Sequence, residues 1–329
     1  MAERLGVVGI GNALVDVLAE VGDPFLAEQK VTKGAMTLID APRAGSLYGA
    51  MPPARELSGG SGANTIAGVA VLGVEAGYIG KVSDDQLGQI FTHDLRALGV
   101  RFGGPLGDPA ESETGRCLVL ITPDGERSMN TFLGVSVTLT PEDVDATLAG
   151  SADWLYLEGY LFDTDEAKAA YAKAIGRCRD GGGRVAFTVS DSFCVERHRA
   201  DMRRLVSNHV DLLFANRDEL LALYETTDLE QALQMVSGDV DMAAVTLSAD
   251  GAIVATGSDR VAVPATAIKV LDTTGAGDLF AAGFLAGQVT GRSAEQCAHM
   301  GCIAAGEVIG HIGARPEADL KALVAAAGL

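Results

Sequence analysis

The spacing of apolar and polar positions changes along the chain. From about Ser58 onward, short apolar runs alternate with longer amphipathic stretches. Short apolar runs are typical of buried strands and the longer stretches of helices, so this part predicts βαβ crossovers and a parallel sheet. The strands predicted there are Ala76–Ile79, Trp154–Leu157, Val185–Val189, Leu212–Ala215 and Ala243–Leu247, and the helices include Ala63–Leu72, Gly88–Leu98, Asp165–Cys178 and Arg217–Tyr224. Nearer the N-terminus, Val7–Gly11 predicts a buried first strand.

A second group of strands has no helices between its members. Met36–Asp40 and Leu118–Thr122 predict strands, and Arg127–Phe132 predicts the return arm of a hairpin after a Pro-Asp-Gly turn. The fold class predicted is α/β: one doubly wound, mostly parallel sheet flanked by helices over residues 1–329. A small β-sheet lid is expected to be inserted from about 13–40 and 112–135.

Composition narrows the range of partners. The 329 residues are 48% hydrophobic and carry a net charge of −19, which repels polyanions and makes nucleic acid or an anionic membrane surface an unexpected partner. A nucleotide ligand remains compatible with this charge, because a few local donors and a metal ion suffice to hold it. The five cysteines show no metal-like spacing, so reduced, mostly buried thiols are expected.

The N-terminal stretch, Met1–Val21, lacks the basic start and continuous apolar core of a secretion signal. No run of about 18 uncharged apolar residues follows it, so no membrane span is expected. Together with the cysteine usage, this predicts a cytoplasmic protein.

Two common nucleotide motifs are absent. The pair Gly80-Lys81 is followed by Val82 and does not complete a P-loop, and Gly9-x-Gly11 continues to Leu14 where the dinucleotide fingerprint has glycine. The sequence therefore lacks the main evidence that would indicate a nicotinamide-dependent dehydrogenase.

The run Asp272-Thr-Thr-Gly-Ala-Gly-Asp278 precedes an apolar stretch, Leu279–Val289. A Gly-Ala-Gly turn that opens a helix offers free N–H groups and the positive end of the helix dipole, which together bind an anion. Asp278 in the first helical turn would face the same place and deprotonate an attacking hydroxyl. From spacing alone, a carboxylate that only complements the helix dipole explains Asp278 equally well.

This run resembles the C-terminal signature of the ribokinase-like carbohydrate kinases, which include ribokinase, adenosine kinase and many sugar kinases. A second signature of that family is similar to Gly59-Gly-Ser-Gly-Ala-Asn64, about 210 residues earlier and also leading into a helix. The resemblance covers essentially the whole chain. It implies an ATP-dependent, Mg²⁺-requiring phosphotransferase.

The resemblance implies the catalytic roles position by position. Asp278 would be the base, and the amides of Gly275, Ala276 and Gly277 the anion hole. Asp16 and its neighbours would hold the substrate hydroxyls. For Asp16, a carboxylate in a turn without a substrate role is the alternative. The substrate-binding residues implied are Asn12, Asp16, Gly59, Gly60 and Asn64.

The resemblance also implies where ATP and metals bind. Asn216 would lie near the phosphates and Glu219 would act on Mg²⁺ through water, although a helix capping box explains the same pair. A monovalent cation, K⁺, is expected in part of the family, held by Asp272, Thr274 and Gly313. The remaining ATP-binding residues implied are Thr246, Ser248, Gly251, Ala305 and Ile309.

Three segments resemble the adenosine-kinase branch more than ribokinase: 33–40, 114–130 and 157–162, the last including Glu158. A nucleoside needs an apolar slot for its base beyond the ribose site. The candidates to line that slot are Met36, Leu38, Leu133, Tyr160 and Leu161, for which an ordinary core role is the alternative. Arg116 either reaches a phosphate or is a solvated surface residue.

The sequence therefore favours a kinase that phosphorylates the 5′-hydroxyl of a nucleoside, adenosine first. A sugar or sugar-acid kinase of the ribose, fructose or 2-keto-3-deoxygluconate type is the alternative enzyme. A non-catalytic nucleoside-binding protein is disfavoured because the run ending at Asp278 is intact. The unpaired edges of the lid strands leave open whether the lid pairs across a homodimer or serves one subunit.

Overall fold

The computed structural model describes residues 4–329, so the part of the N-terminal expectation that concerns Met1–Glu3 lies outside the described residues. The strands are β1 Leu5–Ile10, β2 Leu14–Glu20, β3 Met36–Leu38, β4 Arg55–Gly59, β5 Ala76–Ile79, β6 Val82–Ser83, β7 Arg101–Phe102, β8 Leu106–Gly107, β9 Gly115–Ile121, β10 Arg127–Phe132, β11 Ala152–Glu158, β12 Arg184–Thr188, β13 Leu212–Asn216, β14 Met242–Thr246, β15 Ala252–Thr256 and β16 Asp259–Val263.

The helices alternate with these strands. They are α1 Asp23–Glu28, α2 Ala41–Ala50, α3 Ser61–Val71, α4 Gln86–Ala97, α5 Ala146–Gly150, α6 Asp165–Asp180, α7 Ser192–His209, α8 Arg217–Tyr224, α9 Leu229–Val236, α10 Ala276–Val289, α11 Ala294–Val308 and α12 Leu320–Ala326. No helix in residues 4–329 is both long enough and apolar enough to cross a membrane.

A nine-stranded sheet forms the centre of the molecule, in the order β16-β15-β14-β13-β12-β11-β1-β5-β7. The pairings from β14 to β7 are parallel, and β15 and β16 add an antiparallel edge. Successive strands are added on opposite sides of β1, which makes the β1–β11 boundary a topological switch point. The predicted fold class is confirmed.

The core lies on both faces of this sheet, because neighbouring residues of a strand point to opposite sides. Val7 belongs to the cluster beneath α3, α10 and α11, whereas Val8 belongs to the cluster beneath α6 to α9. All five cysteines are buried, and none of them forms a disulfide.

The lid is a separate five-stranded sheet in the order β3-β10-β9-β2-β4. The hairpin of β9 and β10 is antiparallel, with Cys117 opposite Thr131. Strand β4 also belongs to this sheet, although it lies outside the two segments from which the lid was predicted. It joins because it pairs with β2 and leads straight into α3. The lid is therefore tied to the site at the start of α3.

Candidate active site

The candidate site lies at the carboxyl ends of the parallel strands, where ligands bind in open α/β sheets. Glu158 ends β11 and accepts a hydrogen bond from the Gly62 N–H of α3 at 2.6 Å. The neighbouring Ser61 hydroxyl donates to Asp278, in the first turn of α10, at 2.6 Å. The switch point, the start of α3 and the start of α10 thus meet at one place.

Gly275 sets the direction in which α10 begins. It is the residue before the helix and has a φ of 79°, in the left-handed region that favours glycine. A Cβ at this position would lie 2.9 Å from Ala314 Cα, which leaves no room for a side chain. This backbone crossing therefore requires glycine at position 275, whereas Gly277 has open space around it.

Two of the three predicted anion-hole amides are available. The Ala276 N–H donates to the Thr273 carbonyl at 3.2 Å and is used within the turn. The N–H groups of Gly275 and Gly277 have no hydrogen-bond partner within residues 4–329. The anion hole that the turn offers thus consists of two N–H groups at the positive end of α10, and the amide predicted at Ala276 is not part of it.

The Asp278 carboxylate is held from both sides by α3. Oδ1 accepts from Ser61 Oγ at 2.6 Å, and Oδ2 accepts from Asn64 Nδ2 at 3.1 Å. Burial raises the pKa of Asp278 above its ordinary value, while these two hydrogen bonds and the nearby Arg315 oppose the rise. The result is an oriented carboxylate more basic than an exposed aspartate, as a general base requires.

Asp16 lies on β2 and faces the floor formed by β4. A Cβ at Gly59 would overlap the Asp16 carboxylate, so glycine is needed for the two to approach. Burial raises the pKa of Asp16 to about 6, against the lowering effect of Arg315 and Arg127. No group in the described residues hydrogen-bonds to this carboxylate, so both oxygens can accept from a ligand.

Arg315 reaches into the site from the loop after α11. Its guanidinium donates to the carbonyls of Ser58 and Ala63 at 3.1 and 2.8 Å, and to Ser58 Oγ at 3.1 Å. Burial lowers the pKa of Arg315 to about 10, and Asp16 and Asp278 act against that change. One cation therefore compensates both site carboxylates.

A cavity of about 50 Å³ lies between the lid and these residues. It is lined by Asp16, Leu18, Leu57, Ser58, Asn64, Cys117, Val119, Arg127, Met129, Thr274, Gly313, Ala314 and Arg315. A larger groove of about 690 Å³ lies between α6 and α7, but no predicted site residue lines it, so the chemistry points to the smaller cavity.

Glu158 is placed under the site and not in it. The side chain is fully buried, and Oε1 accepts from the Asn12 N–H at 2.7 Å while Oε2 accepts from the Gly62 N–H. The Asn12 side chain is also buried: its Oδ1 accepts from Ser136 Oγ at 2.9 Å, and its Nδ2 has no hydrogen-bond partner in the described residues. The expectation of direct substrate contact is therefore wrong for Glu158, which positions the two backbone segments.

Replacing Glu158 by glutamine is expected to destabilise the fold. The amide can accept from one of the two backbone N–H groups, but its own NH₂ then faces the other, and a buried unsatisfied donor costs about 1–3 kcal/mol. The melting temperature of Glu158→Gln should fall measurably in thermal unfolding, whereas the exposed Glu28→Gln should not change it. If Glu158→Gln melts at the same temperature as the unmodified protein, Glu158 does not hold these segments.

The residues predicted to line a base slot are not brought together. Met36 and Leu38 are 44% and 48% exposed on the lid edge, and Leu133 and Tyr160 are half-buried outside the cavity. Leu161 is part of the core beneath α6 to α9, so the expectation is wrong for it, and the ordinary-core alternative holds.

Arg116 does not face the site. Cys117 opposes Asp16 on the cavity side of the lid, so Arg116, one residue earlier, points to the other face. There it pairs with Glu113 at 2.8 Å and lies over the rings of Tyr48 and Phe132. Neither predicted role of Arg116, reaching a phosphate or being solvated, describes it.

On the ATP side, Asn216 and Glu219 form a reciprocal capping box at the start of α8. The Glu219 N–H donates to Asn216 Oδ1 at 2.9 Å, and the Glu219 carboxylate accepts from the Asn216 N–H and Nδ2 at 2.8 and 2.6 Å. Burial, with Asp191 and Asp218 nearby, raises the pKa of Glu219 to about 7. This carboxylate has no cationic partner in the described residues and fits a hydrated divalent cation.

The other predicted ATP residues lie on two neighbouring elements. Thr246 ends β14, and Ser248 and Gly251 follow in a turn with φ of 53° and 92°. Ala305 and Ile309 are half-buried at the end of α11.

Three side chains that sequence reasoning gave no role are prominent in the site: Ser61, Arg127 and Arg315. Ser61 lies within the Gly-rich run Gly59–Asn64, and that run was the signal that could have identified it. The two arginines act across more than 140 residues of sequence, and no local pattern marks them.

Comparison with known proteins agrees with this geometry. The model of the pfkB family carbohydrate kinases matches residues 41–320. A probable sugar kinase from Rhizobium etli is 48% identical, with 99% of each chain covered and a TM-score of 0.91. An adenosine kinase from Sinorhizobium meliloti is 50% identical, with 98% of this chain and 99% of the other covered and a TM-score of 0.91.

A curated relative, the ATP-dependent ribose-1-phosphate kinase of Halopiger xanaduensis, is 34% identical over 275 residues, which are 82% of this chain and 86% of that protein. Adenosine, sugar and sugar-phosphate kinases thus occur among the relatives of this chain. The similarity therefore establishes the reaction class but not the acceptor. The chain belongs to the pfkB family of carbohydrate kinases.

Proposed function

We propose that this protein transfers the γ-phosphoryl group of ATP to the 5′-hydroxyl of a nucleoside, with adenosine as the first candidate. The observation that carries the proposal is the apolar lid face next to Asp16. Leu18, Leu57, Val119 and Met129 line the cavity beside the one carboxylate free to hold ribose hydroxyls. They would supply the apolar slot expected for the base, from residues other than those that the sequence predicted.

The sugar would be held by polar groups that still have hydrogen-bonding capacity. Asp16 can accept from the 2′- and 3′-hydroxyls, and the buried Oδ1 of Asn64 has no partner in the described residues. Gly59 lets the ring approach the floor. With the ribose fixed in this way, its 5′-oxygen would face Asp278.

In the transfer step, Asp278 accepts the proton of the 5′-hydroxyl while the 5′-oxygen forms a bond to the γ-phosphorus. The bond from the γ-phosphorus to the β,γ-bridging oxygen breaks, and ADP leaves. The N–H groups of Gly275 and Gly277 would stabilise the charge on the transferred group. Base and anion hole thus come from one helix turn.

The nucleotide would lie along the ends of β13 and β14. Asn216, Thr246 and Ser248 would contact it, and Glu219 would hold Mg²⁺ through water. When bound, Mg²⁺ supplies positive charge that neutralises phosphate oxygens. Glu219 has to be ionised for this, and its pKa of about 7 implies weaker Mg²⁺ binding below that pH.

A thermal-shift and turnover screen tests the acceptor. A ligand present at 100 times its Kd stabilises the folded state by about 2.7 kcal/mol, which corresponds to a rise in melting temperature of several degrees. We expect adenosine to produce this rise and to be phosphorylated with ATP. If only ribose, fructose or a sugar acid does both, the nucleoside proposal is wrong and phosphotransfer still stands.

A sugar acid is the second candidate. Arg127 and Arg315 both line the cavity, and a guanidinium can bind a carboxylate in a bidentate manner. Both cations already face carboxylates of the chain, which favours the neutral nucleoside. Phosphorylation of 2-keto-3-deoxygluconate at a higher kcat/KM than adenosine would reverse this ranking.

A further inference from the structure

The loop between α11 and α12 carries three groups of the site. The Gly313 N–H donates to Asp272 Oδ2 at 3.0 Å, and Ala314 crosses the backbone at Gly275. Arg315 follows directly and donates to backbone carbonyls of β4 and α3. The course of this loop therefore decides where the cation that compensates both site carboxylates lies.

Side chains, and not regular secondary structure, hold this loop in place. Within residues 4–329, no backbone N–H or C=O group of residues 311–318 forms a hydrogen bond with another backbone group. Three of the N–H groups in the loop donate to carboxylates instead, one to Asp272 and two to Glu307. Because so few bonds constrain the loop, the loss of one of these carboxylates should let it move.

Glu307 binds the far end of the loop. It lies in the last turn of α11, and its side chain is only 7% exposed. Oε1 accepts from the Glu317 N–H at 2.9 Å and from the Ala318 N–H at 2.7 Å, just after Arg315. The His311 ring, near the start of the loop, has Nε2 3.3 Å from the same oxygen, although no hydrogen bond forms there. Both ends of the loop thus meet at one largely buried carboxylate.

We propose that Glu307 is a positioning residue of the phosphoryl-transfer site, because it closes this loop and so holds Arg315 in place. Glu307 does not line the cavity, so it acts through Arg315 and not on the acceptor. Without this anchor the guanidinium would move away from Asp16 and Asp278, which burial would then leave less easily ionised. The proposal rests on the phosphoryl transfer proposed above but not on which acceptor is used.

The acid limb of kcat/KM distinguishes this role from a purely structural one. Removing the negative charge of Glu307 by itself favours the ionisation of other carboxylates and moves the limb to lower pH. Glu307→Ala should instead move it upward by about half a pH unit, because Arg315 is displaced, and should lower kcat/KM about tenfold. A limb that stays in place or moves to lower pH in this variant contradicts the proposal.

Glu307→Gln is the matched variant, since it loses the same charge but keeps an oxygen that can accept from both N–H groups. Its acid limb should not rise, and a rise equal to that of Glu307→Ala overturns the proposal. Glu307→Asp, whose shorter side chain withdraws the acceptor and keeps the charge, takes the place of the alanine variant if that one does not fold. Its limb should also rise, and an unmoved limb would then count against the role of Glu307.

A double-mutant cycle in thermal unfolding tests the same link without any acceptor. If Glu307 acts through Arg315, the combined variant Glu307→Ala/Arg315→Met should lose less in melting temperature than the sum of the two single losses. Glu295→Ala, at an exposed glutamate of the same helix, is the control, and its loss should add to that of Arg315→Met. Additive losses for Glu307 overturn the proposal. Coupled losses in a protein that phosphorylates no acceptor would refute the proposed function and leave the link between Glu307 and Arg315 standing.

Discussion

Replacing Asp278 by asparagine is expected to lower kcat by about 10² to 10⁴-fold, the contribution typical of a positioned general base. Asparagine has nearly the same shape, and its carbonyl can still accept a hydrogen bond from Ser61 or Asn64. It cannot take a proton from an attacking hydroxyl. Because the groups that bind the acceptor and the nucleotide are separate, both ligands should still bind, and KM should change far less than kcat.

The measurement needs a control for the alternative that a carboxylate in a first helical turn only stabilises its helix. Asp165 likewise lies in the first turn of its helix, α6, and is 96% exposed, so Asp165→Asn removes a carboxylate from a helix start without touching the site. It should leave kcat unchanged. If Asp278→Asn also turns over normally, Asp278 is a helix-start carboxylate and the base must be sought elsewhere.

The parts of the site that the sequence predicted are those fixed by backbone geometry. Gly275 must adopt a positive φ next to Ala314, and Gly59 must admit the Asp16 carboxylate. These backbone constraints restrict the residue type at each position, so they can be recognised as a local pattern in the sequence. The strand–helix alternation predicted the fold for the same reason, since burial on both faces dictates the apolar runs.

What could not be predicted depends on long side chains and on sheet faces. Arg315 reaches Ser58 across 257 residues, and Arg127 reaches Thr274 across 147. Met36 and Leu38 share the face of Met129 and Thr131, with which they pair, but they lie on the outermost strand of the lid and do not line the cavity. Met129 and Val119 face the cavity, whereas Arg116 does not.

Some sequence alternatives were not exclusive. Asn216 and Glu219 form the capping box that the helix signal predicts, and the same geometry leaves a buried carboxylate without a cationic partner. The helix-start role of the pair is therefore compatible with the metal role proposed for Glu219.

Replacing Arg315 by methionine is expected to affect both stability and pH dependence. The variant loses three hydrogen bonds from a charged donor, each of which contributes about 1.5–3 kcal/mol. The carbonyls of Ser58 and Ala63 are left without this donor. We expect a lower melting temperature and a kcat/KM reduced about 100-fold or more, because the floor and both site carboxylates lose their common cation.

The pH profile separates the charge of Arg315 from its packing. Asp16 has a pKa of about 6 and the pKa of Asp278 is also raised, and both must be ionised to accept from the acceptor. Activity should therefore fall as the pH drops through about 6. Arg315 lowers both pKa values, so in Arg315→Met they rise further and the acid limb of kcat/KM should move upward by roughly one pH unit or more.

Arg315→Lys completes this experiment. It retains the positive charge but not the planar fork, so the acid limb should stay near that of the unmodified enzyme while the melting temperature still falls. The exposed Arg96→Met should change neither quantity. If Arg315→Met loses activity with an unmoved acid limb, Arg315 acts by packing alone. Both variants disturb the packing but only methionine removes the charge, so an acid limb that moves in Arg315→Met and not in Arg315→Lys shows that the guanidinium charge controls the two carboxylates on which binding and catalysis depend.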